Sequence, residues 1–391
     1  MIYQIIKNEK NYTYRYLILT LNSYAQTKPR ARDLGVPFDG VTGKNNAITD
    51  VPGIEVGYKT LIEGNGKLEP GKGPVRTGVT VILPKGKTSK NYPIAWFNLN
   101  GDGEMTGIAN VEDYGLGYGP IGITNTNSVG TVRDAIGEWS YKKFSEGDFI
   151  DFSFGLPIVA ETWDGMLNDI NGFHVKKEHV WEALDNAKGG IVQEGNVGGG
   201  TGMALYHYKG GNGTASRTFK IDGKEYTLGV FIQANFGGRN DLMIAGVPVG
   251  KEIKEYKPIL NNQKRKDGSA IVIVATDAPL LPSQLELVAK RVTHGIARTG
   301  TFSNDSSGEI FLALSTAEPV TNEKGSLQTW NVLTKEQLNP IFKATVQATE
   351  EAIINTLVAA EDMEGINNNK FFGLPHDILQ EILKKYNRYK K

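Results

Sequence analysis

Apolar runs rich in β-branched residues recur along this chain, at 79–83, 121–124, 226–233, 270–275 and 310–314. Such runs predict strands. Residues 215–221 and 226–233 read as a hairpin pair. Helical patterns fall between the strands. One spans 128–139 and opens on Ser128 as an N-cap. Another, at 178–187, stops before Gly189-Gly190. A third, at 282–298, has Pro282 in its first turn and Gly300 just beyond its end. The stretch 335–360 is long and amphipathic, and 377–386 closes the chain. No internal repeat is visible. Strands and helices that mix throughout must cover one another in layers. That predicts a layered α/β (α+β) sandwich with helices outside the sheets, rather than a barrel or a bundle.

The 391 residues include 39% hydrophobic and 22% charged side chains, ordinary for a globular chain with a substantial core. Lys plus Arg equals Asp plus Glu, 43 each, which leaves no electrostatic footprint for nucleic acid or an anionic membrane. The absence of cysteine excludes thiol catalysis, disulfides and cysteine-ligated metals. No apolar stretch approaches the roughly 18–20 residues of a membrane span. The folded body is expected from residue 29 to 391, after an N-terminal extension at 1–28. There Lys7, Lys10 and Arg15 precede an apolar run at 16–21 and then Ser23-Tyr24-Ala25. The segment has the order of an export signal, with an apolar core shorter than the roughly 7–15 residues expected. A loosely docked extension is the plainer reading, so cytoplasmic and periplasmic locations both stay open.

Several motifs fail on inspection. Gly195-Asn196-Val197-Gly198-Gly199-Gly200-Thr201-Gly202 has the glycine density of a phosphate loop, but Thr201 stands where the lysine is needed. The loop still lets backbone come close to a ligand or to another chain segment. Asn98-Leu99-Asn100-Gly101-Asp102-Gly103 imitates a calcium loop, but Ala109 occupies the position of the bidentate carboxylate. It reads as a polar turn or as a substrate-lining loop that includes Asn100. His174, His179, His207, His294 and His376 show no zinc-helix spacing, so no metal or other cofactor is expected. No Gly-x-Ser-x-Gly elbow surrounds a serine.

One junction carries chemistry of another kind. The charged segment Lys264-Arg265-Lys266-Asp267-Gly268 runs directly into the apolar strand that Ser269 opens. Were the Gly268–Ser269 bond cut, Ser269 would hold a free α-amine beside its hydroxyl. An α-amine titrates near neutrality and can take the hydroxyl proton without any histidine. Glycine before the bond leaves room for attack on its carbonyl. The local pattern alone still favours an ordinary serine opening a strand. A second element stands at Ser306-Ser307-Gly308-Glu309-Ile310, where Ser307 and Glu309 share one side of an extended chain and pair a hydroxyl with a carboxylate.

Taken together, the segments resemble the L-aminopeptidase D-amidase/D-esterase family, which includes the β-peptidyl aminopeptidases. The resemblance runs from about Arg30 to about Gly373. It rests on Arg32-Asp33-Leu34-Gly35, Asn45-Asn46-Ala47-Ile48-Thr49-Asp50-Val51, Asn98 to Gly107, Asn125-Thr126-Asn127-Ser128-Val129-Gly130, and Glu161-Thr162-Trp163-Asp164-Gly165. Gln233-Ala234-Asn235-Phe236-Gly237, Gly268-Ser269, Ala275-Thr276-Asp277-Ala278-Pro279 and Ser307-Gly308-Glu309 complete it. The resemblance implies a four-layer αββα sandwich, similar to N-terminal-nucleophile hydrolases but differently connected. It implies self-cleavage at Gly268–Ser269 into chains 1–268 and 269–391, usually within a homotetramer. It assigns Ser269 as nucleophile, Ser307 and Glu309 as proton-transfer aids, and Asn235 as the oxyanion donor. Glu161 receives the substrate's ammonium group. Some relatives carry a tyrosine where this chain has Trp163, whose indole offers no hydroxyl, so Trp163 is read as a pocket wall. The implied activity is removal of the N-terminal residue from short peptides, amides or esters. Two alternatives are an acyltransferase of the ornithine acetyltransferase type and a non-catalytic binding protein on the same scaffold.

Overall fold

The computed structural model describes residues 28–145, 156–261, 268–319 and 329–391. The N-terminal extension up to residue 27 and the charged run Lys264–Asp267 lie outside the described residues. In chain order the strands are β1 (Glu55–Glu63), β2 (Val75–Leu83), β3 (Asn91–Gly101), β4 (Leu116–Tyr118), β5 (Ile121–Asn125) and β6 (Ile158–Thr162). There follow β7 (Ala204–Leu205), β8 (Tyr208–Lys209), β9 (Gly211–Ile221), β10 (Lys224–Asn235), β11 (Ser269–Thr276) and β12 (Gly308–Ser315). The helices are α1 (Ile108–Tyr114), α2 (Val129–Phe144), α3 (Lys177–Asp185), α4 (Val249–Glu252), α5 (Pro282–Ala297), α6 (Asn339–Ala359) and α7 (His376–Lys385).

Two sheets carry the architecture. One has four strands in the order β1-β2-β5-β6, and the other has six in the order β4-β3-β12-β11-β10-β9. Their facing sides meet in a core that includes Ile82, Ile121, Ile123, Phe231, Ile271, Ile273 and Leu312. The opposite face of the smaller sheet packs Val79, Val81 and Leu83 against Val132 and Ile136 of α2 and Val180 and Leu184 of α3. The opposite face of the larger sheet packs Val230, Val272 and Phe311 against Leu285 and Val288 of α5 and Ile353 and Leu357 of α6. The expected αββα layering is therefore present. It explains the unbroken apolar runs, because a strand with another sheet on one face and helices on the other has no wet side. Every residue of β11 and of β12 is buried.

Two local expectations need correction. Ser128 makes no side-chain cap bond, and α2 instead follows a 3₁₀ turn at Thr126–Ser128 capped by Asn125, whose side chain accepts from Asn127 N–H. The stretch 335–360 is not one amphipathic helix. Lys335–Gln337 is a separate 3₁₀ turn, Pro340 sits in the first turn of α6, and α6 is buried on every face from Gln347 to Ala359. The segment ahead of β1 covers its outer side. Ala31 N–H donates to Asn355, and Arg32 reaches Glu351 at 2.7 Å. Gly198, Gly199 and Gly200 approach other chain segments, one of the two roles that the glycine-rich stretch left open. A Cβ on Gly199 would fall 2.3 Å from the Gln233 side chain and 2.7 Å from the Ile123 carbonyl.

Glu351 joins these layers. Its side chain is fully buried and accepts from Arg32 and, at 2.6 Å, from Arg217 of β9. Burial alone would push its carboxyl up, but the two guanidiniums outweigh burial and hold it below the ordinary value. A depressed folded-state value stabilises the fold above the unfolded-state value, and that stabilisation is lost as pH falls through the folded-state one. Arg217→Met is expected to lower the free energy of unfolding by about 3 kcal/mol, because it leaves the buried Glu351 carboxylate with one guanidinium in place of two. Denaturant titration checks the loss. The same titration repeated in acid should show a smaller drop in stability on acidification than the parent chain shows.

Candidate active site

Ser269 opens β11 in the middle of the larger sheet, and the ladder on each side determines its neighbours. Antiparallel pairing sets Asn235, the last residue of β10, opposite Ser269. Parallel pairing sets Gly308 of β12 on its other side. Strand alternation groups Ser269 with Ile271 and Ile273, so its hydroxyl faces the space between the sheets. Asn235, being directly opposite, points the same way.

The Asn235 amide is locked. Ala204 N–H donates to its Oδ1 at 2.9 Å, so the nitrogen end faces the serine. That Nδ2 donates to the Trp163 carbonyl at 2.9 Å and approaches Ser269 Oγ at 3.4 Å. Trp163 contributes its own backbone N–H, 3.3 Å from Ser269 Oγ. Two N–H donors thus converge on the hydroxyl. The contribution of Trp163 to this pair comes from main chain, so it needs no hydroxyl on the side chain.

Glu161, on β6 of the smaller sheet, stands across the same cleft. Its Oε1 accepts from Glu104 N–H at 3.1 Å and its Oε2 accepts from the Thr126 hydroxyl. Burial pushes this carboxyl above the ordinary glutamate value, with the two hydrogen bonds opposing the shift. The cleft has a volume of about 670 Å³, and its walls include Asp102, Glu104, Thr126, Glu161, Trp163, Gly268 and Ser269. A desolvated carboxylate beside a second and a third acid gains most from a cationic ligand.

Ser307 and Glu309 do pair, with the hydroxyl donating to Oε1 at 2.6 Å. Burial raises the Glu309 carboxyl, and hydrogen bonding from Ser307 opposes the shift. Along β12 the buried neighbours of Glu309 in alternation are Phe311 and Ala313, on the helix-covered face. The pair therefore flanks the Gly268–Ser269 peptide from the side opposite the hydroxyl. Between them, Gly308 N–H donates to the Gly268 carbonyl at 3.1 Å. Asn100 lies opposite Glu309 on β3 and donates to the Asn304 carbonyl at 2.5 Å. It thus braces the Ser307–Glu309 segment, while Gly101–Glu104 next to it form the cleft wall. Among the described residues, no group of three or more His, Cys, Asp or Glu is placed to hold a metal ion. No helix among them is long and apolar enough to cross a membrane.

Four contributors escaped the sequence reading: Thr126, and the backbone N–H groups of Trp163, Ala204 and Gly308. A backbone donor leaves no signature in residue type. Thr126 lies in the segment Asn125-Thr126-Asn127 that carries the resemblance, but no role was read for it.

Two facing sheets between helices, with a serine opening a central strand beside a locked amide, define a hydrolase of variant N-terminal-nucleophile fold. Residues 46–371 match the model of peptidase family S58. The chain is 52% identical over 373 residues to the β-peptidyl aminopeptidase BapA of Sphingosinicella microcystinivorans, with 92% of this chain and 93% of the relative covered. It is 48% identical over 368 residues to the β-peptidyl aminopeptidase BapA of Sphingosinicella xenopeptidilytica, with 91% of each covered. Its fold superposes with a TM-score of 0.86 on the L-aminopeptidase D-Ala-esterase/amidase of Ochrobactrum anthropi, a serine aminopeptidase described as a new variant of the N-terminal-nucleophile hydrolase fold. That pair is 44% identical, covering 93% of this chain and 100% of the other. The chain belongs to peptidase family S58. It is an enzyme, an aminopeptidase-type hydrolase acting on peptides. The family supports this reading over the acyltransferase and binding-protein alternatives.

Gly268 has no room for a side chain, since a Cβ there would fall 1.8 Å from the Asn235 carbonyl oxygen and 2.5 Å from Phe236 Cα. Gly268→Ala is expected to cost about 1–3 kcal/mol of stability through overpacking. The comparison is made by chemical denaturation in a Ser269→Ala background, so that both chains keep the 268–269 bond.

Proposed function

We propose that this chain cuts itself between Gly268 and Ser269 and then uses Ser269 to release the N-terminal residue of short β-peptides and of related amides and esters. The observation that carries the reading is one cleft lined by both Ser269 and the buried Glu161, with the locked Asn235 amide directed at the Ser269 hydroxyl beside it.

Self-cleavage is an acyl shift. Ser269 Oγ attacks the Gly268 carbonyl carbon, the carbon–nitrogen bond breaks, and the nitrogen, which already bears one hydrogen, takes up the hydroxyl proton to become the new α-amine. Water then hydrolyses the ester, leaving a carboxylate on Gly268. The Gly308 N–H on the Gly268 carbonyl steadies the charge that forms on that oxygen. The 1–268 and 269–391 chains stay joined through the ladders of β11 with β10 and of β12 with β3, within a homotetramer.

In turnover, the Ser269 α-amine takes the hydroxyl proton and Oγ attacks the carbonyl of the substrate's first residue. Asn235 Nδ2 and Trp163 N–H bind the oxyanion. The leaving amine departs with a proton, and water releases the acyl group. Ser307 and Glu309 hold and orient the α-amine from the opposite face. Glu161 pairs with the substrate's ammonium group and so restricts the enzyme to free N-termini. The two curated relatives with the name β-peptidyl aminopeptidase support a preference for a first residue with an extra backbone methylene.

Intact mass of the purified chain is expected to give two fragments split at 268–269. Ser269→Ala should give one uncut, inactive chain, and two fragments from that variant would overturn the reading. Glu161→Gln is expected to reduce kcat/KM roughly 30-fold or more, mainly through KM, as a buried charge pair worth about 2 kcal/mol is lost. Its sign against pH follows from the raised carboxyl. In the parent enzyme kcat/KM climbs as pH rises through the Glu161 value, because only the ionised form attracts the ammonium. Glu161→Gln removes that rise. The Ser269 amine continues to govern kcat.

A further inference from the structure

Lys209 is fully buried at the end of β8, and its ammonium touches carbonyls rather than a carboxylate oxygen. It donates to the Met203 carbonyl at 2.6 Å and to the Gly210 carbonyl at 2.9 Å. Burial drives this amine well below the ordinary lysine value, and the Asp164 carboxyl, itself pushed up to about 7 by burial, pulls the other way. A lysine in such a place is expensive, and the hairpin of β7 and β8 would close with an apolar residue there. The Met203 carbonyl already accepts from Gly210 N–H at 2.9 Å, so the turn has its own backbone bond.

The atom that Lys209 selects explains its presence. Met203 O belongs to the same peptide group as Ala204 N–H. That N–H donates to Asn235 Oδ1 at 2.9 Å, and Asn235 Nδ2 faces Ser269 Oγ. Two amides therefore lie in series between the lysine and the nucleophile. Drawing electron density toward Met203 O makes Ala204 N–H a stronger donor. That in turn polarises the Asn235 amide and makes Nδ2 a stronger donor toward the oxyanion. We infer that Lys209 is a positioning residue for catalysis, which strengthens oxyanion donation by Asn235 through the Met203–Ala204 peptide. It touches neither substrate nor Ser269. The inference rests on the roles proposed above for Ser269 and Asn235.

A purely structural lysine would disturb ground state and transition state alike, whereas a relay acts only where charge develops on the substrate oxygen. Lys209→Met removes the donor with little change in length. In the processed, full-length enzyme it is expected to lower kcat about tenfold, short of the roughly 100-fold loss typical of deleting an oxyanion donor itself. KM should stay within about twofold by the same logic. Affinity for an aminoalkyl boronic acid, whose serine adduct mimics the tetrahedral intermediate, should fall by the same factor as kcat/KM. Affinity for the free amino-acid product should not change. Lys209→Gln, which keeps a neutral N–H donor, should fall between parent and Lys209→Met. It carries the same comparison if Lys209→Met does not accumulate as folded, processed protein. Unchanged kcat, or product and boronate affinities falling together, overturns the relay. Failure of both variants to fold and process assigns Lys209 to the scaffold and also overturns it. Activity retained by Ser269→Ala would instead sink the proposed function. Loss of activity there together with full activity in Lys209→Met would sink the relay alone.

Discussion

The pairing of β11 with β10 on one side and β12 on the other is the constraint on which the site depends. Antiparallel register brings Asn235 opposite Ser269, and parallel register brings Gly308 beside it. A slip of one residue in either ladder would turn the amide or the Ser307–Glu309 pair to the wrong face. Register is held by burial on both sides: Ile271 and Ile273 fill the space between the sheets, and Val272 and Val274 fill the space under the helices. The site is thus precise because its residues end strands that the core has already aligned.

The two sheets contribute different chemistry. The larger sheet supplies Ser269, the Asn235 amide and the Ser307–Glu309 pair. The smaller sheet supplies Glu161 from β6 and Thr126 from the turn after β5. The cleft lies where the ends of these strands face one another. Its depth buries Glu161 enough to raise its carboxyl, and a carboxyl so desolvated gains more from a cationic partner than an exposed one would.

Legibility in the sequence followed burial. The segments around 79–83, 270–275 and 310–314 are covered on both faces, so their unbroken apolar character announces them. β1 is partly exposed and reads Glu55-Val-Gly-Tyr-Lys-Thr-Leu-Ile-Glu63, which gives no such run, and β3 carries Pro93 and a polar end at Asn98–Gly101. Both were invisible as strands. The amphipathic expectation for α6 failed because the cover over its outer side comes from residues far away, at Ala31 and Arg32, a long-range packing that no local period reports. The side-chain set of the site was reached through ordered motif matches. Its backbone donors were out of reach, since any residue supplies the same N–H.

The order of construction also accounts for the odd placement of polar groups. Asn235 could reach Ser269 from the ladder alone, but a free amide would rotate and present either end. Ala204 removes that freedom at one end, and the Trp163 carbonyl removes it at the other. The Trp163 backbone is used twice, its carbonyl to hold the amide and its N–H to face the hydroxyl. The Asn235 amide at Ser269 is thus held at both ends by backbone groups. Such preorganisation lets fixed dipoles act without rearrangement when charge appears. It also places the polar residues Asp164, Lys209 and Asn212 behind the site, in a layer where a simple core would hold hydrocarbon.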